Sequence, residues 1–347
     1  MIPYILYALV VIFLSYKGEK NHISRLLLFF VAVLFMGLRL GVGKDYDNYK
    51  DYYDFESYIF EPGYNYLCLF AHQHHLGVQF VFFVMALLTY FFIYLFLERI
   101  KEFEIKYAPA AIMLYFLTFS IVCNVMRECL AASIFLYSCY YIKDNKLLHY
   151  LALIAFATLF HFSILICIPL YWILKRKIAT KYYVIIYIVS FSLCFIQMEQ
   201  LVSYFIPFFE DYKRWMMYMD SDKYSTAYFS LGILLEIMFY ASIFIICVKN
   251  KIDERNTLLF NLIFISCIVM NMKVGSPLMT RVGMLFSWFT YVAIPLMIKY
   301  EPNSQNRYLW IRAYIIYFIV TFIQYAVFDK NSYLYPYKSV LSSINLL

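Results

Sequence analysis

The sequence predicts an all-α, polytopic integral membrane protein, a helical bundle of about 11 to 12 apolar segments forming one transmembrane domain over residues 1–347. Three observations carry that prediction. Of 347 residues, 64% are hydrophobic and only 15% charged, more apolar surface than a soluble domain of this length can hide. Uninterrupted apolar runs recur from one end to the other, without the two-residue alternation of membrane strands, which excludes a barrel. The basic residues gather in alternate loops, the pattern that sets orientation in a bilayer.

Taken in order, the runs cover residues 2–16, 23–38, 77–97, 108–123, 129–142, 147–160, 162–174, 182–198, 227–248, 257–272, 282–298 and 309–328. The first lacks the basic start and small-residue cleavage site of a signal peptide, so it is expected to remain as a span. Between the second and third lies a polar, acidic, tyrosine-rich island, residues 39–64, RLGVGKDYDNYKDYYDFESYIFEPGY. Irregular polar backbone in a membrane protein must face water or sit inside protein, which makes this island the first place to look for function. Gly41 and Gly43 give its start freedom to turn sharply. Residues 64–75 have polar interruptions and are expected to form an amphipathic helix lying in the interface. The stretch 147–174 is flanked by basic loops at both ends. It is expected to fold back as a hairpin with His161 at the bend, one long tilted helix being the alternative.

Lys17, Lys20, Arg25, Arg99, Lys101, Lys106, Lys143, Lys146, Lys175, Arg176, Lys177, Lys181, Lys249, Lys251, Arg255, Lys299, Arg307 and Arg312 fall on one side of that alternation. Positive loops stay cytoplasmic, so both termini, loop 39–64 and loop 199–226 are expected outside. The formal charge of +7 is absorbed by those topology-setting loops and does not point to nucleic acid. Eight cysteines without any CxxC pair read as small core residues, not a zinc site or a disulfide framework.

The candidates for chemistry are ionisable groups near the outer side. Arg39, Arg127 and Arg281 each stand where an apolar run meets an outward loop, and a guanidinium presents a fork of donors suited to phosphate. Snorkelling, or pairing with a neighbour such as Arg127 with Glu128, is the plainer use of each. Asp45, Asp47 and Glu61 are acids in or beside the island, and His161 stands between Phe160 and Phe162. A carboxylate near apolar surface or an imidazole can serve as general base. Ordinary solvation of the acids and a packing role for the histidine stand against that. Asp45 and Asp47 also offer hard oxygen ligands of the kind Mg²⁺ takes. Tyr46, Tyr49, Tyr52 and Tyr53 supply flat amphipathic faces that stack on sugars or anchor at headgroups. Glu236, inside an apolar run, is a functional candidate by rule and a protonated packing residue by the plainer reading. His72, His74 and His75 read as headgroup contacts on the interfacial helix more than as metal ligands.

Arg39-Leu-Gly-Val-Gly43-Lys-Asp45-Tyr46, with Tyr49 and Glu61-Pro-Gly-Tyr64, resembles the first outer loop of the EpsG/Wzy-type polysaccharide polymerases. Arg127-Glu-Cys-Leu-Ala131, the Phe160-His161-Phe-Ser163 element and the Thr280-Arg281 pair are similar to later landmarks of that family, in the same order. Glu128 stands where such proteins more often carry Gln.

The resemblance implies a polymerase, a membrane glycosyltransferase with a GT-C-like helical bundle. It would join undecaprenyl-diphosphate-linked oligosaccharide repeat units, as donor and acceptor, at the outer face of the bacterial cytoplasmic membrane. The product would be O-antigen of lipopolysaccharide, capsule or exopolysaccharide, and a chain-length regulator protein is a conceivable partner. Arg39, Arg127 and Arg281 would hold the diphosphate, Asp45 or His161 would be the base, and Tyr46, Tyr49 and Glu61 would bind sugar. A diphosphate is already a good leaving group, so no metal or other cofactor is expected. A flippase of lipid-linked saccharide and an O-antigen ligase are the alternatives of other classes.

Overall fold

The computed structural model describes residues 2–57, 59–192, 231–272, 277–324 and 334–343. Among them the regular elements are helices, with one isolated antiparallel bridge between Arg39 and Ser339. Among the described residues three helices are long and apolar enough to cross a bilayer: Gly77–Glu98, Tyr107–Asn124 and Val282–Tyr300. Ile2–Gly18, His22–Gly37, Leu147–Thr158, Phe162–Ile173 and Thr257–Met272 are apolar and shorter. The chain divides into two compact units, Met1–Tyr171 with Ile298–Leu347, and Trp172–Met297.

The first unit starts with α1 (Ile2–Gly18) and α2 (His22–Gly37), then α3 (Tyr46–Asp54), α4 (Pro62–Gln73) and α5 (Gly77–Glu98). It continues through α6 (Tyr107–Asn124), α7 (Met126–Lys143) and α8 (Leu147–Thr158). On α1 the buried residues Tyr4, Tyr7, Val11, Ser15 and Gly18 follow helical spacing, yet Ile5, Leu6, Leu9 and Phe13 on the other face are exposed. A helix apolar on both faces with one left uncovered belongs against lipid, since water would penalise that surface. α7 is different: Cys129, Leu130, Ala131, Ala132, Ser133, Ile134, Phe135 and Leu136 are buried in succession, so every face is covered. Its small residues let α5 and α8 approach closely.

α2 begins under an Asn21 cap, whose side chain accepts from the Ile23 amide at 2.9 Å, and ends at Gly37. A Cβ at Gly37 would lie 3.0 Å from the Cα of Phe83, so glycine is what lets α5 meet α2 here. The chain then turns through Gly41 and Gly43, at φ 63° and 108°. A Cβ at Gly43 would lie 2.4 Å from the Cys123 carbonyl oxygen, whereas one at Gly41 would meet nothing within 4 Å. Gly43→Ala is therefore expected to cost about 3 kcal/mol, from clash plus strained backbone, and Gly41→Ala about 1 kcal/mol, from backbone alone. Thermal melts of the two solubilised variants check the ranking.

α8 has 12 residues, about 18 Å of helix against a hydrocarbon core of about 30 Å. The chain reverses after it into a tight 3₁₀ segment, Phe162–Cys167, that packs back along α8. The buried Tyr150 hydroxyl donates to the Cys167 carbonyl at 2.5 Å, and the Tyr150 ring lies 5.5 Å from that of Tyr171. Of the two forms the sequence allows for 147–174, the folded-back one is observed, with His161 at the bend.

Residues 334–340 return to the end of α2. The Tyr337 ring stacks on Phe35 at 4.4 Å and its hydroxyl donates to the Phe35 carbonyl at 2.7 Å. The Leu40 amide donates to the Lys338 carbonyl and the Val340 amide to the Leu38 carbonyl, each at 2.9 Å. This short pairing straps the start of the polar island.

In the second unit, helices Thr180–Ser192 and Leu231–Lys249 pack on Thr257–Met272. Buried polar groups there satisfy one another, as apolar surroundings require. Tyr183 donates to Asn261 Oδ1 at 2.6 Å, and Asn261 Nδ2 donates to the carbonyls of Leu174 and Arg176 at 2.9 Å each. Glu236 is half-buried on Leu231–Lys249. The loop expected at 199–226 lies outside the described residues.

Candidate functional site

Glu61 immediately precedes α4, with Pro62 at its first position. The amide of Gly63 donates to the Leu159 carbonyl at 2.7 Å, and a Cβ there would lie 2.7 Å from that same oxygen. Absence of a side chain at 63 thus lets the start of α4 touch the end of α8, which sets Glu61 beside the bend. Glu61 Oε1 stands 3.0 Å from His161 Nδ1 and accepts the Phe162 amide at 3.3 Å. An ionised carboxylate only accepts, so Nδ1 carries the hydrogen and Nε2 is the nitrogen that keeps its lone pair in the neutral ring.

The other carboxylate oxygen, Oε2, accepts from Arg127 Nη1. A break at Val125, φ −110° and ψ 57°, separates α6 from α7 and places Arg127 in the first turn of α7. Its guanidinium lies 3.6 Å from the Phe60 ring centroid, 5.8 Å from Tyr64 and 5.9 Å from Tyr49. These three rings also touch each other, at 5.6 to 6.0 Å between centroids, and form an aromatic cage that holds the cation by its faces. Arg127 Nε is buried without a hydrogen-bond acceptor among the described residues. The neighbouring Glu128 reaches the far side of the imidazole, with Oε2 3.7 Å from Nε2.

Arg127, Glu61, His161 and Glu128 therefore close a ring drawn from three separate stretches of chain. Its side chains are 14%, 8%, 16% and 4% exposed, so the arginine and histidine form the accessible edge and the carboxylates its floor. Burial by itself would raise the Glu61 pKa, but the hydrogen bond with His161 and the Arg127 charge outweigh it and hold the carboxyl below its ordinary value. A depressed carboxylate contributes stability that is present above its unfolded pKa and lost as pH falls through the folded one. Docking of 61–64 on the bend should thus be constant near neutrality and loosen only in acid, below the ordinary carboxylate range of about 4. Hydrogen exchange at the Phe162 amide checks this, and Glu61→Gln should remove the pH dependence.

The remaining candidates are placed as follows. Arg39 is 1% exposed. Its Nε, Nη1 and Nη2 donate to the carbonyls of Val42, Met36 and Cys123 at 3.1, 3.0 and 3.4 Å, and its carbon centre lies 5.0 Å over Phe82. A guanidinium so committed clamps the island's backbone and is not offered to a headgroup. Asp45, at the N-cap of α3, is half-buried; Asp47 is exposed. Tyr46 is buried and stacks on Phe82 at 4.7 Å, while Tyr49 belongs to the cage. His72 Nε2 meets the Tyr53 carbonyl at 2.6 Å with the two rings stacked, which joins α4 to α3. Arg281 is on helix Pro277–Tyr300, and its side chain lies outside the described residues. The pairing of Arg127 with Glu128 considered from sequence is replaced by Arg127 with Glu61, because α7 turns the two neighbours toward different partners. Sequence reasoning left Phe60 and Glu128 out of the site; adjacency to Arg127 was the available signal for the second. Among the described residues no group of three or more His, Cys, Asp or Glu is arranged to hold a metal ion.

The sequence model of the EpsG family matches residues 22–339, from α2 to the C-terminal strap, and so includes the whole ring. No curated protein and no solved structure matches the chain.

Proposed function

The chain belongs to the EpsG family, which includes Wzy-type polymerases, and from that membership we propose that it is a membrane glycosyltransferase that polymerises lipid-linked oligosaccharide repeat units. The observation that supports this reading best is the Arg127–Glu61–His161 cluster. It combines an anion-binding group with an oriented imidazole at an accessible edge, as transfer from a lipid diphosphate to a sugar hydroxyl requires.

In this reading Arg127 takes the diphosphate of the donor, which displaces the Glu61 carboxylate from one side of the guanidinium while the aromatic cage keeps the other. His161, held through Nδ1 by Glu61, accepts the proton of the acceptor hydroxyl at Nε2. That oxygen bonds to the anomeric carbon of the growing chain, the bond from that carbon to the diphosphate breaks, and the diphosphate leaves with the electron pair. Charge develops on the leaving oxygens, where a fixed guanidinium stabilises it. His161 is preferred to Asp45 as base because a second residue orients it. The lipid carrier is taken to be undecaprenyl diphosphate from the family resemblance, and the active face to be outside on the strength of the basic loops.

Purified protein in lipid nanodiscs, supplied with one defined undecaprenyl-diphosphate-linked repeat unit, tests this. A ladder of lipid-linked oligomers supports polymerisation. Transfer only to an added lipid A core acceptor would mean a ligase. Movement of the unit across vesicles without new glycosidic bonds would mean a flippase.

A further inference from the structure

The ring contains a fourth member that the reaction just outlined does not use. Glu128 is almost fully buried at the start of α7, yet its carboxylate is turned to the imidazole, 3.7 Å from Nε2. His161 is thereby flanked by a carboxylate at each ring nitrogen, Glu61 on one side and Glu128 on the other. A proton taken up at Nε2 would place a positive charge beside a buried carboxylate, where the two attract more strongly than they would in water.

We propose that Glu128 is a positioning residue for the base: acting through His161, it stabilises the positive charge that the imidazole gains when the acceptor hydroxyl's proton is taken up at Nε2. The proposal rests on the polymerase reading above. The proton passes from the hydroxyl to Nε2, remains on the imidazole between the two carboxylates while the glycosidic bond forms, and is released to water after the diphosphate has left. Glu128 gains and loses no covalent bond. Its neighbour Arg127 handles the leaving group, so two consecutive residues at the break in the helix serve the two ends of one displacement.

The test uses the full-length protein in nanodiscs with the defined lipid-linked repeat. Glu128→Gln keeps the shape and removes the charge. It is expected to lower kcat at least about tenfold, within the range general acid–base groups supply, with KM unchanged. Glu128→Asp should recover most of the rate. In a protein already carrying His161→Asn, Glu128→Gln should cause little further loss, because a residue acting through the imidazole has nothing left to act on. In ¹⁵N-histidine spectra, Glu128→Gln should move the Nε2 resonance of His161 more than the Nδ1 resonance, whatever the reaction. A wild-type rate in Glu128→Gln, losses that multiply in the double variant, or an unmoved Nε2 resonance would each overturn the proposal. If the unaltered protein makes no oligomer, the polymerase reading fails with it; if the unaltered protein polymerises and Glu128→Gln does too, this inference falls alone.

Discussion

Arg127→Ala is expected to abolish long polysaccharide and also to loosen the polar island, two effects with one cause. Glu61 is buried, and its partners are Arg127, His161 and the Phe162 amide. Removing the guanidinium leaves the buried Glu61 carboxylate without its ion-pair partner, and breaking a buried pair from one side costs about 3–5 kcal/mol. The aromatic cage of Phe60, Tyr49 and Tyr64 would also lose what it encloses. A lower yield in membranes could then be mistaken for the whole phenotype. The double variant Arg127→Met with Glu61→Gln separates the effects: it restores an uncharged, filled site and should recover thermal stability to within about 1 kcal/mol while still making no polymer. Recovery of chain length in that double variant would remove Arg127 from the mechanism.

His161→Asn is expected to be the second severe change. The asparagine amide nitrogen reaches about where Nδ1 stands, so it can still donate to Glu61 and keep the bend docked on α4. It offers no basic nitrogen at the position of Nε2. On the proposed chemistry kcat should fall by about 10²–10⁴-fold, the usual contribution of a general base, with KM and the amount of folded protein little changed. Steady-state rates on the defined lipid-linked repeat, normalised to folded protein, check it. A fall in yield with normal specific activity would mean that the histidine only packs. Asp45→Asn serves as the comparison, since Asp45 sits at the N-cap of α3 and is not a member of the ring.

Much of the scaffold was legible because lipid leaves the backbone few options. Runs such as 77–97 and 108–123 became the spans Gly77–Glu98 and Tyr107–Asn124. The reversal near His161 was legible from the basic loops at both ends of 147–174, which a single crossing would leave on opposite sides, whereas the length of the run allowed either form. Charge type was a weaker guide. An arginine at the end of a span looks the same in sequence whether it faces a ligand, as Arg127 does in this proposal, or spends its donors on carbonyls, as Arg39 does. Only the path of the backbone around Gly41 and Gly43 decides between them. Glu61 was legible as an acid beside the island, but its partnership with His161 crosses 100 positions and depends on the missing side chain of Gly63, which no local pattern announces. Glu128 was hidden by its position next to Arg127, because two adjacent opposite charges invite the assumption that they satisfy each other.

The pairing of Lys338 and Val340 with Leu40 and Leu38 joins segments far apart in the chain, the earlier of them the first extended segment after α2. A ribosome delivers the earlier piece long before the later one. Glu61 and Arg127 are made long before Tyr337 emerges, so the segment that leads into their loop must wait, unpinned, until residues 334–340 have followed. A truncated product would carry every group of the proposed chemistry and still lack the clasp that seats them.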